Sequence, residues 1–174
     1  LDYDIAVNKL NISRATIKSL EELNIIEVVS ETVYRNPIKV KDAQNKRILL
    51  NQEQKNIVEE IKKQYDAGIA DTYLIHGITG SGKTEVYMEL IEHVIDQGKQ
   101  VIMLIPEIAL TFQTVKRFYV RFGDRISIMN SRLSAGERYD QYIRAKKNEI
   151  DIIIGPRSAL FTPFSNLGLL IIDE

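Results

Sequence analysis

Gly77-Ile78-Thr79-Gly80-Ser81-Gly82-Lys83-Thr84 constrains this chain more than any other stretch. Glycine, four residues, then glycine, lysine and threonine is the spacing of a phosphate-binding loop. Such a loop works only between a strand and a helix. Thr72-Tyr73-Leu74-Ile75, just before it, is short, apolar and β-prone, and predicts the strand. Glu85 to Ile95, just after it, sets Val86, Leu90, Ile91, Val94 and Ile95 at helical spacing and predicts the helix. Glycine at 77, 80 and 82 lets the backbone turn back without Cβ clashes. The amides of Ile78, Thr79 and Ser81 can then point inward, toward a helix start with unpaired N–H groups and partial positive charge. That is a cradle for a β-phosphate. Lys83 is placed to reach the β- and γ-phosphates, and the Thr84 hydroxyl to ligate Mg²⁺.

Beyond the loop, strands and helices alternate. Val101–Ile105 is a fully apolar strand, as expected in a parallel sheet covered on both faces. Pro106 closes it. Ile108–Phe122 predicts a helix stopped by Gly123, and Ile126–Met129 a short strand. Ser134–Asn148 predicts a helix with a capping box between Ser134 and Glu137. Ile150–Ile154 and Leu169–Ile172 are further strands. The pattern implies an open, mostly parallel α/β sheet with right-handed crossovers. Gln52–Gly68, with Asn51 as its cap, precedes the loop strand as a helix.

Residues 1–45 differ. Asp4–Leu10 and Arg14–Leu23 predict two helices around a turn, with Ser13 capping the second. Ile25–Val29 and Thr32–Arg35 are two β-prone runs. Helix, turn, helix, hairpin outlines a small winged helix-turn-helix with Arg14, Thr16, Lys18 and Ser19 outward. Contact with DNA and a role as a packing module both fit, because Glu21, Glu22, Glu27 and Glu31 offset the basic residues. Asn36–Arg47 is polar and predicts a linker. The second domain is expected over residues 46–174.

Four further groups bear on chemistry. Asp173-Glu174 follows the last strand, at the sheet edge where ligands sit in parallel α/β folds. Asp173 suits Mg²⁺ and Glu174 suits polarisation of the attacking water, more readily than an ordinary acidic turn. Gln54 offers a donor and an acceptor that match adenine's edge, and equally suits a solvated helix position. Thr111 and Arg157 follow other strand ends and make a nucleic-acid track plausible. His76 and His93 lack metal partners nearby in sequence and read as packing or surface residues. Arg144, Lys146 and Lys147 read as a solvated helix end. Phe161 and Phe164 read as core aromatics.

A formal net charge of −1 gives no global pull toward nucleic acid or membrane. Cysteine is absent, so neither disulfides nor thiolate zinc sites fall in this stretch. No apolar run is long enough for a membrane span. With Leu1 at its start and Asp173-Glu174 at its end, the chain is expected to be an excised piece of a longer protein, with an intracellular location as the default.

Five motifs in order carry a resemblance. They are Gly77 to Tyr87, Ile105 to Thr111, Ser134 to Arg138, Gly155 to Phe161 and Ile171 to Glu174. Together they resemble the PriA family of primosomal replication-restart helicases in superfamily 2, over most of residues 51–174. The N-terminal segment is more weakly similar to that family's winged-helix domain. The resemblance implies a RecA-like first motor lobe that uses ATP and Mg²⁺ to move 3′ to 5′ on single-stranded DNA. It implies forked DNA, other primosome proteins and single-strand binding protein as partners, and a cytoplasmic, nucleoid-associated location. Lys83 and Thr84 match the first helicase motif. Asp173 and Glu174 match the start of an Asp-Glu-Glu-His motif, Gln54 an adenine contact, and Thr111 and Arg157 DNA-facing motifs. Asn130-Ser131 departs from the His-Ser expected there. The family's fork-binding domain, zinc-binding cysteines and second lobe, with its arginine finger, lie outside this chain. Weak nucleotide binding and very slow hydrolysis are therefore expected of it. The rivals are another repair translocase of superfamily 2, and a DNA-structure-binding scaffold with a nucleotide switch.

Overall fold

The computed structural model describes residues 1–29, 34, 38 and 48–173. The chain forms two compact units, Leu1–Val33 and Tyr34–Glu174.

In the first unit, helix α1 (Tyr3–Asn8) is capped by Asp2, whose carboxylate accepts from the Asp4 N–H at 2.8 Å. Asn11, at φ 53°, turns the chain. Helix α2 (Arg14–Glu22) starts where expected, with the Ser13 hydroxyl accepting from the Thr16 N–H at 3.0 Å. Ile17 is buried, while Arg14, Thr16, Lys18 and Ser19 are exposed. The expected strand Ile25–Val29 does not form, and Ile25 and Val29 are each 65% exposed. A hairpin needs a third strand or a packed face to hold, and among the described residues this run has neither. The expected run Thr32–Arg35 lies outside the described residues apart from Tyr34, which belongs to no strand.

The second unit is a parallel α/β layer. Its helices are α3 (Gln52–Asp66), α4 (Lys83–Asp96), α5 (Phe112–Phe122) and α6 (Ala135–Lys146). Its strands are β1 (Gln100–Leu104), β2 (Ile126–Ile128), β3 (Ile152–Gly155) and β4 (Leu167–Ile172), in the spatial order β2-β3-β1-β4. Every pairing is parallel, with Val101 opposite both Ile152 and Leu169. The central strands read as apolar runs because both faces are covered. Ile152, Ile153 and Ile154 are each 0% exposed, and each such burial contributes roughly 2 kcal/mol. The α4 face read from the sequence (Val86, Leu90, Ile91, Val94 and Ile95) is buried throughout. Val86 and Leu90 meet Val58 and Ile61 of α3 in one cluster.

Four expectations need correction. Thr72–Ile75 runs without strand pairing. A strand exists only through its ladder, and these residues have none among those described, although Ile75 packs against the cluster of Val58, Ile61, Val86 and Leu90. The predicted helix Ile108–Phe122 is broken. A 3₁₀ turn spans Glu107–Ala109, and α5 begins only after Thr111, whose hydroxyl accepts from the Thr114 N–H at 3.2 Å. Arg144 is buried rather than solvated. It donates to Gln141 Oε1 at 2.9 Å, and that oxygen also accepts from the Ser127 hydroxyl at 2.7 Å. Phe161 is exposed at the end of a 3₁₀ turn (Arg157–Phe161), while Phe164 packs against the second core cluster as expected.

Candidate active site

The phosphate loop ends in helix α4, whose first residue is Lys83 and second Thr84. Gly80 and Gly82 take φ 83° and 85°, conformations that L side chains rarely adopt. Gly82 is the residue before α4 and has no side chain with which to cap it, so the first amides of the helix are left for a ligand. The Lys83 ammonium folds back over the loop. It donates to the Gly77 carbonyl at 2.6 Å and the Ile78 carbonyl at 3.2 Å. Ile78, Thr79 and Ser81 are exposed around it, and Thr84 is half-buried.

Gln54 reaches the loop from α3. Its Nε2 donates to the Ser81 carbonyl at 2.9 Å, and its Oε1 accepts the Asn51 N–H at 2.9 Å. Both ends of the amide are thus engaged, one in the α3 capping box and one on the phosphate loop. A side chain at 82 would run into that amide.

Asp173 leaves the end of β4. Its N–H donates to the Leu104 carbonyl at 2.9 Å, which fixes its backbone against β1. Its Oδ1 accepts from the Tyr87 hydroxyl at 3.3 Å. Burial pushes the Tyr87 phenol up to about 12, and the charge of Asp173 adds to that. Tyr87 lies one turn beyond Lys83 on α4, so the hydrogen bond brings the acid at the strand end to the helix that carries Lys83 and Thr84. Glu174 lies outside the described residues.

Hydroxyl and carboxylate oxygens fit a hard cation such as Mg²⁺, which takes one or two protein ligands and completes its shell with phosphates and water. Among the described residues no group of three or more His, Cys, Asp or Glu gathers to hold a metal unaided. The Thr84 hydroxyl and the Asp173 carboxylate suit a cation that arrives with a nucleotide.

The DEAD/DEAH box helicase family matches residues 51–174. The chain belongs to that family. It is also similar to curated replication restart proteins PriA. The identity is 44% over 167 residues with the Bacillus subtilis protein, covering 95% of this chain and 21% of that one. It is 39% over 173 residues with the Chlamydia trachomatis protein, covering 97% and 22%. With the Haemophilus influenzae protein it is 38% over 182 residues, covering 99% and 24%. The chain thus spans under a quarter of the length of these relatives.

This helicase segment carries a second concave feature, a cleft of about 470 Å³ that includes Glu107, Thr111, Phe112, Ser131 and Arg132. It lies just past the carboxyl ends of β1 and β2. The Ser131 N–H donates to Glu107 Oε1 at 2.9 Å, and the Ser131 hydroxyl bonds the same oxygen. Those bonds hold the Glu107 carboxyl below the usual glutamate range. Thr111 is here, with its hydroxyl engaged in the α5 cap. Asn130, where the family motif suggested histidine, accepts from the Arg132 and Leu133 N–H groups at 3.0 and 3.1 Å. Arg157 is exposed past the end of β3.

One buried network escaped sequence reasoning. Arg121 on α5 bonds Glu89 and Glu92 of α4, both at 2.6 Å, and lies 3.9 Å from Glu85. Arg117 also pairs with Glu85, the residue after Thr84. Burial works against the Arg121 charge, but the Glu92 and Glu89 hydrogen bonds override it and raise its pKa. Helical periodicity puts 85, 89 and 92 on one face, which was the available signal, although nothing in the spacing names the partner helix. His93 bonds Asp66 at 2.7 Å and Gln97 at 3.0 Å, a cluster at the end of α4 away from the loop.

Proposed function

We propose that this chain is the first motor lobe of an ATP-dependent DNA helicase that acts in replication restart. Residues 46–174 form the lobe, and 1–45 a small nucleic-acid-contacting module of which the helix pair is the supporting part. One observation carries the reading. Asp173 is tied through Tyr87 to the helix whose first two residues are Lys83 and Thr84.

The loop amides and the start of α4 would hold the β-phosphate. Lys83 would exchange the Gly77 and Ile78 carbonyls for β- and γ-phosphate oxygens. Thr84 and Asp173 would hold Mg²⁺, which supplies neutralisation of the developing phosphate charge. Glu174 is assigned the polarising of water. Gln54 would report on the adenine side of the site, where its link to Ser81 supports a role in setting the loop. Thr111 and Arg157, which follow the carboxyl ends of the neighbouring strands β1 and β3, would face single-stranded DNA.

The motif resemblance implies forked and single-stranded DNA as substrates and 3′ to 5′ movement. It also supports primosome proteins and single-strand binding protein as partners, and a nucleoid-associated, cytoplasmic location. Zinc would belong to parts outside this chain. Among the described residues no helix is long and apolar enough to cross a membrane.

Unwinding by the full-length protein tests this. Duplexes with a 3′ or a 5′ single-stranded tail are compared, beside Lys83→Ala. The expected result is unwinding from the 3′ tail alone, abolished by Lys83→Ala with fork binding retained. Unwinding that survives Lys83→Ala would refute the motor assignment.

A further inference from the structure

Tyr87 is buried at 7% exposure within the main core cluster, yet it ends in a hydroxyl aimed at a carboxylate. A purely apolar role would be filled as well by phenylalanine, without the cost of burying a polar atom. The phenol instead spends its one proton on Asp173 Oδ1, 86 residues away in sequence. Asp173 has its backbone pinned by the Leu104 carbonyl. The backbone bond leaves χ1 of its side chain unset, and the Tyr87 hydroxyl favours the rotamer that it meets. A carboxylate has about four acceptor positions, so the bond leaves capacity for a cation. Tyr87 also stands three residues past Thr84 on α4, one helical turn along the same face. A single rigid element therefore carries the hydroxyl of Thr84 and the group that orients Asp173.

We propose that Tyr87 is a positioning residue for divalent-cation binding. Its hydroxyl holds the Asp173 carboxylate in the rotamer that shares the cation with Thr84. This rests on the nucleotide-site reading above. Hydrogen bonds to ligating carboxylates typically matter by 10- to 100-fold in metal affinity.

The test titrates MgCl₂ into this chain with a fluorescent ADP analogue, and separately measures analogue binding in EDTA. Tyr87→Phe keeps the ring and removes only the donor. The expected result is a roughly tenfold rise in the Mg²⁺ concentration for half-maximal tightening, with EDTA affinity unchanged. Asp173→Asn should abolish the tightening, and Tyr87→Phe added to it should change nothing more. An unchanged Mg²⁺ midpoint in Tyr87→Phe overturns the proposal, as does an equal loss in EDTA. Additive losses in the double variant overturn it too, because Tyr87 would then act by another route. If Asp173→Asn leaves the Mg²⁺ dependence intact, the assignment of Asp173 fails first and the role of Tyr87 falls with it. Tyr87→Met serves as a second donor-less variant, with the same outcomes, should Tyr87→Phe not fold.

Discussion

The side-chain amide of Gln54 donates a 2.9 Å hydrogen bond to the carbonyl of Ser81, so the first turn of α3 is tied directly to the phosphate loop. The other end of the same amide closes the α3 capping box on Asn51. Gln54→Ala loses both, and Asn51→Ala loses only the cap. Each should cost about 1 kcal/mol of helix stability. Only Gln54→Ala should also weaken nucleotide binding, by about fivefold, as expected for one hydrogen bond worth about 1 kcal/mol. Calorimetry with ATP and with inorganic triphosphate separates two roles. An equal loss for both ligands supports loop setting, whereas a loss for ATP alone supports adenine contact.

Arg121 reaches three α4 carboxylates, and its side chain is 8% exposed. Removing one partner of a buried pair leaves charge without compensation. Arg121→Met should destabilise the chain by about 3 kcal/mol, read as a lower urea midpoint. Glu89→Gln in the same chain should recover part of that loss, because Glu89 bonds Arg121 at 2.6 Å, and strict additivity would contradict the network.

Gly155 ends β3 where there is no room for a methyl group. A Cβ there would press on the Met129 carbonyl and lie 2.9 Å from Met129 Cβ and 3.2 Å from Ala159 Cβ. The first obstacle is backbone and cannot rotate away. Gly155→Ala should cost about 2 kcal/mol, seen in thermal melts as a clear drop in Tm.

Ser131 holds the Glu107 carboxyl below its ordinary range by side-chain and then backbone hydrogen bonding. The folded pKa is depressed, so the contribution to stability is present above the unfolded value and is lost as pH falls through the folded one. Ser131→Ala should move the Glu107 titration upward toward the ordinary range. Carboxyl-carbon NMR in acid reads this directly, and an unmoved titration would show that the bonds are not its cause.

Local order was legible wherever one segment determines its own structure. Gly80 and Gly82 marked the loop, and Ser13, Asn51 and Ser134 marked helix starts, each with a side-chain oxygen that accepts the N–H three residues on. The apolar runs around Ile102 and Ile153 announced covered parallel strands. What failed depended on a distant partner. Thr72–Ile75 has strand composition, but composition does not supply a ladder. Arg144 resembles a solvated end until Ser127 and Gln141 enclose it. Thr111 reads as the middle of a helix because apolar periodicity continues past it, yet its hydroxyl starts a new helix. In the site, Lys83, Thr84 and Gln54 were visible as motif letters. Tyr87 and the Glu107–Ser131 pair were not, because their meaning lies in contacts across 86 and 24 residues.

The most direct measurement of the central claim is calorimetric binding of ATP with Mg²⁺ to this chain, beside Lys83→Ala. Lys83 already sits over the loop carbonyls of Gly77 and Ile78, within reach of the cradle. Measurable binding is expected, falling at least tenfold, about 1.4 kcal/mol, in Lys83→Ala, with both chains melting cooperatively. Equal affinity in the two chains would contradict the claim, since the loop would then not be the nucleotide site.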